Sequence, residues 1–493
     1  MGRVNNATHA GRGKYDAIVN QPPVATSDDA GGTALAQRQI VFMVAALVAS
    51  VISFQLNATM VAPAYHAITA ELGPNAFVAM STYFYLAGAI ANVVLIRWSD
   101  YIGRKRVLLA IMIVLCIGTV LCIVSTSLPL FVLGRALQGG SNITFGLAFL
   151  IMRERLSGPM FGVCCGVISS INGGVAGGDA LLGGLMVDHL GFRSIFVLIL
   201  VVGLLGLGFA WKSVPSDDPG SRSTGRMDWL GAALISLTVA GINLFFGAGG
   251  HQGWTSGPAL TWIAVAVLAL IALVIVDSRV AHPLMAIKHM RSREAWPLII
   301  VTILVMGSFM VVTGFLVPAL AEDTDSGFGH NATMTALLFL TPASIVQVIA
   351  GPFVGRLAVR IGFVTVLRAG IVLSVAVTAL LAVFANQENI FIGLMVLYGL
   401  AFNAVLLTAM SSLGVIQASD EEPGALPGIA NASYGIGASL GFAWAGPIVG
   451  SGTDTTFQHA FWVCMAIGAV ALVFSVVLKP KPGPLVATVG LSH

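Results

Sequence analysis

The residues able to do chemistry are few, and they stand where chemistry is expensive. Asn57, Arg135 and Asp179 lie inside stretches that are otherwise apolar. An ionisable side chain at bilayer depth costs at least ~2.5–3.5 kcal/mol on insertion scales, so it needs partners and usually has a task. Asn57 lies six residues before Pro63, Arg135 seven after Leu128 and Asp179 eight before Val187. At ~1.5 Å per helical residue, each is about 9–12 Å below the same face of the layer. One chemistry is a buried Asp179–Arg135 charge pair that opens when Asp179 takes a proton. The other reading is a permanent ion pair that only fixes geometry, with Arg135 capping backbone or Asn57. Gln138, one turn beyond Arg135, belongs to the same proton- and substrate-coupling set.

A second group is solvated. Asp100, Gly103, Arg104 and Lys105 share a short loop. A carboxylate there can dock on a helix amino terminus, and Gly103 permits a tight turn, so the loop suits a conformational latch. The third group is neutral and polar: Asn172, Gln347, Asn403, Asn431 and Tyr434. Each can hydrogen-bond a cargo or tie helices together.

These residues need elements that cross a membrane. Of the 493 residues 57% are hydrophobic and 9% charged, and mean hydropathy is +0.92. Soluble domains carry roughly 25% charged residues. A span needs about 20 apolar residues to cross ~30 Å of hydrocarbon. Fourteen stretches qualify: 39–62, 76–96, 107–127, 129–151, 160–187, 194–212, 229–249 and 258–276, then 296–320, 332–354, 364–385, 390–416, 424–450 and 458–478. All five cysteines fall in apolar stretches without metal-ligand spacing, which suggests small buried side chains.

Charge sets the orientation, because Lys and Arg collect in cytoplasmic loops. With the amino terminus inside, Arg97, Arg104, Lys105 and Arg106 are cytoplasmic, and so are Arg153, Arg155, Lys212, Arg222, Arg226, Arg279, Lys288, Arg291 and Arg293. Arg356, Arg360, Arg368, Lys479 and Lys481 follow, and only Arg193 falls in an outside loop. Outside loops are short, neutral or acidic, as at Glu322, Asp323 and Asp325. The expected organisation is a disordered tail 1–38, a six-helix bundle 39–212, a cytoplasmic linker 213–228, two extra helices 229–276, a cytoplasmic connector 277–295, a six-helix bundle 296–478 and a tail 479–493. Both termini are expected in the cytoplasm.

An internal repeat supports two related halves. The segment Ile96–Gly103 aligns without gaps with Gly355–Gly362, each in a basic loop after an even-numbered stretch. Val359 stands in the second copy where the first has Asp100, so only the first copy can make the carboxylate dock. Paired halves are a recurring transporter design.

With these motifs the chain resembles the major facilitator superfamily, in its fourteen-helix drug:proton antiporter branch. Asp100, Gly103, Arg104 and Lys105 match the superfamily's G-x-x-x-D-R-x-G-R-K signature, and Gly134–Gly139 resembles its R-x-x-Q-G motif around Arg135 and Gln138. The run Asp188–Phe196 and the later His282-Pro283-Leu284 have the look of the branch. Two positions depart from it. Asn57 stands where the branch has a helix-one Asp, and Asp179-Ala180 stand where its helix-five motif has Gly-Pro. The resemblance implies an all-α, fourteen-helix 6+2+6 membrane protein of the bacterial cytoplasmic membrane, working by alternating access. It implies proton-coupled export of small amphipathic or cationic compounds, with a small-molecule substrate, protons and the lipid bilayer as partners, no nucleic acid, no cofactor, no metal, and a monomeric state. Uptake or uniport of a specific metabolite is the alternative, and a transporter-like sensor or scaffold is another.

Enzyme chemistry finds no support. Gly437–Gly441 fits G-x-S-x-G, but a nucleophile elbow needs a strand-to-helix turn and this one sits in an apolar helical stretch. Neither H-E-x-x-H nor a phosphate-binding glycine loop occurs.

Overall fold

The computed structural model describes residues 37–156, 158–217, 227–277, 279, 292–417, 425–450 and 455–480; within 157–177 and at 415, 425 and 427 many side chains are left undescribed. The chain separates into a short unit, residues 1–40, and a large unit, residues 41–493. Of the short unit only 37–40 are described, as helix; the expected disordered tail otherwise lies outside the described residues.

The described structure is helical throughout. In order come α1 (Gln37–Thr59), α2 (Tyr65–Leu72), α3 (Ala76–Ile102), α4 (Arg104–Val124), α5 (Leu128–Gly139), α6 (Ile143–Arg155), α7 (Gly158–Leu190) and α8 (Arg193–Ser213). Then follow α9 (Trp229–Gln252), α10 (Gly257–Asp277), α11 (Trp296–Glu322), α12 (Ala332–Ile361), α13 (Phe363–Val383), α14 (Glu388–Gly414), α15 (Ala425–Val449) and α16 (Thr456–Val477). Among the described residues, eleven of these are long and apolar enough to span a membrane. Two departures from regular α-helix stand out. The stretch expected as one helix over 129–151 is broken by a 3-10 turn at Gly140–Asn142. Helices α11, α12 and α14 carry π-helical segments at Met306–Met310, Val312–Leu316, Ala336–Leu340 and Gly399–Leu406. Such segments widen a helix locally and often mark functional positions.

The gapless repeat is visible in the backbone. Gly103 ends α3 and begins α4 with φ 107° and ψ 137°, and Gly362 ends α12 and begins α13 with φ 93° and ψ 135°. Both need the positive φ that glycine alone adopts freely.

Close packing depends on small residues, as expected where lipid gives no hydrophobic drive between helices. A Cβ on Gly118 would stand 2.6 Å from the Gly134 carbonyl oxygen, and one on Gly134 would stand 2.7 Å from that of Gly118, so α4 and α5 cross in backbone contact. A Cβ on Gly139 would collide with the Phe84 carbonyl of α3. Between the sequence halves, α3 packs along α15, with Tyr85 stacked on Phe442 at 5.7 Å and Phe442 beside Phe315 at 6.0 Å. Helix α9 packs on α10, α3 and α15, and Asn243 Nδ2 donates to Ser439 Oγ at 2.9 Å.

Candidate functional site

Helix α5 carries Arg135 into the first half of the chain, 1% exposed. Its guanidinium donates from Nη1 to Gln138 Oε1 at 2.8 Å and Asn57 Oδ1 at 3.2 Å, and from Nη2 to the Asn57 carbonyl at 3.1 Å. The Phe84 ring lies 4.3 Å from Cζ, within cation–π range. Gln138 is held in turn, donating from Nε2 to Thr119 Oγ1 at 2.9 Å, and Asn57 Nδ2 donates to the Ser53 carbonyl at 3.0 Å. A charged fork thus joins α1 and α5 through amide and carbonyl oxygens and reaches α4 through Gln138 and Thr119, with no carboxylate in its shell among the described residues. Nε of Arg135 has no partner among the described residues.

Asp179 is also buried, but it faces elsewhere. Its Oδ2 accepts a very short hydrogen bond from the Thr59 hydroxyl, and Oδ1 has no partner among the described residues. The expected Asp179–Arg135 charge pair is therefore not formed. Geometry supplies the reason. Arg135 meets α1 at Asn57 and Asp179 meets it at Thr59. Two residues at ~100° per residue point to nearly opposite sides of a helix, so α1 stands between the two charges. Thr59 Oγ1 also lies 2.9 Å from the Gln55 carbonyl and 3.4 Å from Gln55 Nε2.

The solvated loop differs from expectation as well. Asp100 pairs with Arg97 and Arg104, each at 3.4 Å, within its own segment. Arg104 also bridges Glu154 at 2.7 Å. The helix terminus used here is that of α4 itself: Asp217 Oδ1 accepts the Arg104 N–H at 2.8 Å and the Lys105 N–H at 3.2 Å. A docked carboxylate is thus present at Gly103, but the linker supplies it.

Of the neutral set, Asn172 lies outside the described side chains. Tyr434 shares a 3.1 Å hydrogen bond with Ser411. Asn403 sits in the π segment of α14, 9% exposed. Helix α12, which bears Gln347, packs on that segment, and the end of α14 packs on α15, which bears Asn431. Among the described residues, the side chains of Gln347, Asn403 and Asn431 make no hydrogen bond.

At the opposite end of the layer from Gly103, the structure shows contacts that sequence reasoning missed. Glu322, expected in a solvated loop, closes α11 at 3% exposure, and its Oε2 accepts the His66 N–H at 2.7 Å. Asp188 near the end of α7 accepts the Ala332 N–H at 3.2 Å and the Thr333 N–H at 2.9 Å. A cavity of 540 Å³ opens beside them, lined by Tyr65, His66, Asn75, His251, Phe315 and Asp323 among others. Burial, with Asp323 and Glu322 nearby, pushes the Tyr65 phenol up to about 12, so it is neutral at physiological pH.

Known proteins share this architecture. The Major Facilitator Superfamily pattern matches residues 47–441 and 298–490. The chain is 30% identical over 438 residues to the uridine/deoxyuridine transporter of Lactococcus lactis subsp. cremoris, covering 86% of this chain and 88% of that protein. It is 25% identical over 442 residues to Multidrug resistance protein 3 of Bacillus subtilis, covering 87% and 82%. Among solved structures, the nucleoside transporter NupG superposes with TM-score 0.58 at 15% identity, covering 89% of this chain and 100% of that one. A POT family transporter in complex with 5-aminolevulinic acid reaches TM-score 0.62 at 16% identity, covering 90% and 97%. At those identities the structures speak to the fold alone. Fold, repeated glycine turn and family match together make this chain a member of the Major Facilitator Superfamily, a multi-pass membrane transporter of small-molecule substrates.

Proposed function

We propose that the protein is a proton-coupled secondary transporter for a small, neutral, hydrogen-bonding solute of the nucleoside class. The observation that carries this reading is the chemistry of α12, α14 and α15. Gln347, Asn403 and Asn431 are amides whose side chains make no hydrogen bond among the described residues, and the middle of these helices holds no charged side chain. An amide offers one acceptor and two donors in a plane, a match for the alternating carbonyl and N–H edge of a pyrimidine base. The uridine/deoxyuridine transporter relative, 30% identical over most of both chains, supports the same class.

Proton movement is assigned to Asp179. Thr59 has one hydroxyl proton and two acceptors in reach, Asp179 and the Gln55 carbonyl. With a proton on Asp179, the carboxyl donates to Thr59 and Thr59 donates to Gln55. Without it, Thr59 turns its proton to Asp179 and drops the Gln55 bond. Loading Asp179 thus rewires the end of α1. The Arg135–Asn57–Gln138 fork holds α1, α4 and α5 in register while this happens.

The layout proposed is fourteen spans as 6+2+6, with bundles at 39–212 and 296–478 and both termini in the cytoplasm. The three segments 128–155, 158–190 and 425–449 supplement the eleven spans, and the Lys/Arg distribution supports the orientation. The membrane is the bacterial cytoplasmic membrane, and the working unit a monomer. The Asp100–Lys105 loop is the latch of the opposite access state, folded back here.

A second reading, proton antiport that exports amphipathic or cationic compounds, rests on the Bacillus subtilis multidrug relative and on the branch motifs around Asp100 and Arg135. The readings separate in a counterflow assay with purified protein in liposomes. Labelled uridine should exchange, and unlabelled nucleosides should compete with it. Exchange of ethidium without exchange of any nucleoside would sink the first reading and select the second.

A further inference from the structure

Two contacts at one end of the layer, one from the buried Glu322 and one from the exposed Asp188, share an unusual form. Asp188, from the first half of the chain, docks on the Ala332 and Thr333 N–H groups at the start of α12, in the second half. Glu322, from the second half, docks on the His66 N–H in the first turn of α2, in the first half. Each half thus lends a carboxylate to a helix start of the other. First-turn amides have no partner within their own helix, and the helix dipole favours an anion there, so each dock satisfies both sides.

The backbone around them is equally close. A Cβ on Gly184 would stand 2.5 Å from the Ala332 carbonyl oxygen. At the neighbouring residue, a Cβ on Gly183 would collide with the Met60 carbonyl of the segment after α1. Helix α7 therefore touches α1 on one side and α12 on the other, at the level of the docks and one turn from Asp179. The docks cannot survive a separation of α7 from α12 or of α11 from α2, which is the motion that would open this end.

We propose that Asp188 and Glu322 form a reciprocal carboxylate-to-amide latch that holds the extracellular gate shut in the state described here. The word extracellular rests on the orientation proposed above; the latch itself does not. Neither residue touches cargo in this account. Glu322 Oε1 has no partner among the described residues, so this arm holds by a single hydrogen bond and releases without breaking a network. The glycines set how closely the gate can shut, and the carboxylates set how long it stays shut.

The test places spin labels at His189→Cys and Asn386→Cys, exposed positions on the two sides of the gate, with native cysteines replaced. Distances are measured in lipid without cargo. The parent should show mainly the short distance. The double variant Asp188→Ala/Glu322→Gln should shift the main population to a longer one, and so should Gly184→Ala, whose methyl wedges the same contact without touching either carboxylate. An unchanged distribution in both monodisperse variants would overturn the latch. If only the double variant fails to purify as a monodisperse sample, Gly184→Ala together with the single variant Glu322→Gln decides in the same way. Because no cargo is needed, the result is independent of the nucleoside assignment, and labelling of His189→Cys by an impermeant thiol reagent in intact cells reads the orientation separately.

Discussion

At the residue scale, Arg135 is a buried charge with no counter-charge among the described residues. Arg135 is held by three amide or carbonyl oxygens and lies over the rings of Phe84 and Phe196. Hydrogen bonds to charged groups contribute about 1.5–3 kcal/mol each. Arg135→Met strands the acceptors of Asn57 and Gln138, and is expected to lower the melting temperature in detergent clearly and uridine flux at least ~10-fold on that scale. Arg135→Lys keeps the charge but not the two-pronged geometry. It should recover part of the stability and little of the flux, and thermal denaturation alongside flux checks both. Asn403→Ala should act differently. Loss of one cargo hydrogen bond worth about 1 kcal/mol corresponds to roughly fivefold, so KM for uridine should rise by that factor with little change in melting temperature. A fall in stability with unchanged KM would make Asn403 a helix tie instead. Counting along the spans put Asn57, Arg135 and Asp179 at a common depth, with Gln138 one turn beyond Arg135. It did not tell which side of α1 each charge approached. That needs the rotation between Asn57 and Thr59 and the placement of α5 and α7 around it, which no single-sequence count supplies.

At the scale of elements, glycine contacts and π segments decide how helices meet. Gly139→Ala puts a methyl into the Phe84 carbonyl, and backbone cannot give way as a side chain tip can. Core overpacking typically costs 1–3 kcal/mol, so this variant should purify in lower yield with a lower melting temperature. Gly178→Ala, where nothing lies within 4 Å, is the control and should behave as the parent. A Gly139→Ala protein as stable as the parent would show that α3 and α5 are freer than the structure has them. The helical stretches and the turn at Gly103 were legible, since apolar length and the Ile96–Gly103 repeat are patterns along the chain. The π segments were not: each adds one residue to a turn without changing composition. Nor was the burial of Glu322, because a carboxylate at a helix end reads as solvated until the His66 N–H facing it is known.

At the scale of the whole molecule, two ends differ. At one, carboxylates from each half grip helix starts of the other. At the other, Asp100 pairs within its own segment and Asp217 of the linker caps α4. The linker should therefore matter to transport although it lies outside the membrane-crossing helices. Asp217→Ala should leave cargo exchange intact in affinity and change the rate of net flux, which a comparison of counterflow with net uptake would show; an altered affinity would contradict this placement. The family, the span count to within a few helices and the basic loops were readable from composition and motif. The partnering of the amides was not, because α12, α14 and α15 show in the sequence which amides they carry but not which lack a partner among the described residues once packed.

The central claim is that Asp179 moves a proton with a neutral solute. The most direct measurement records labelled uridine and internal pH together in the same proteoliposomes, parent against Asp179→Asn. The account predicts that uridine drives proton movement in the parent, and that the variant still exchanges uridine but moves no protons with it. Uridine flux with proton movement unchanged in Asp179→Asn, or flux without any proton movement in the parent, would contradict it.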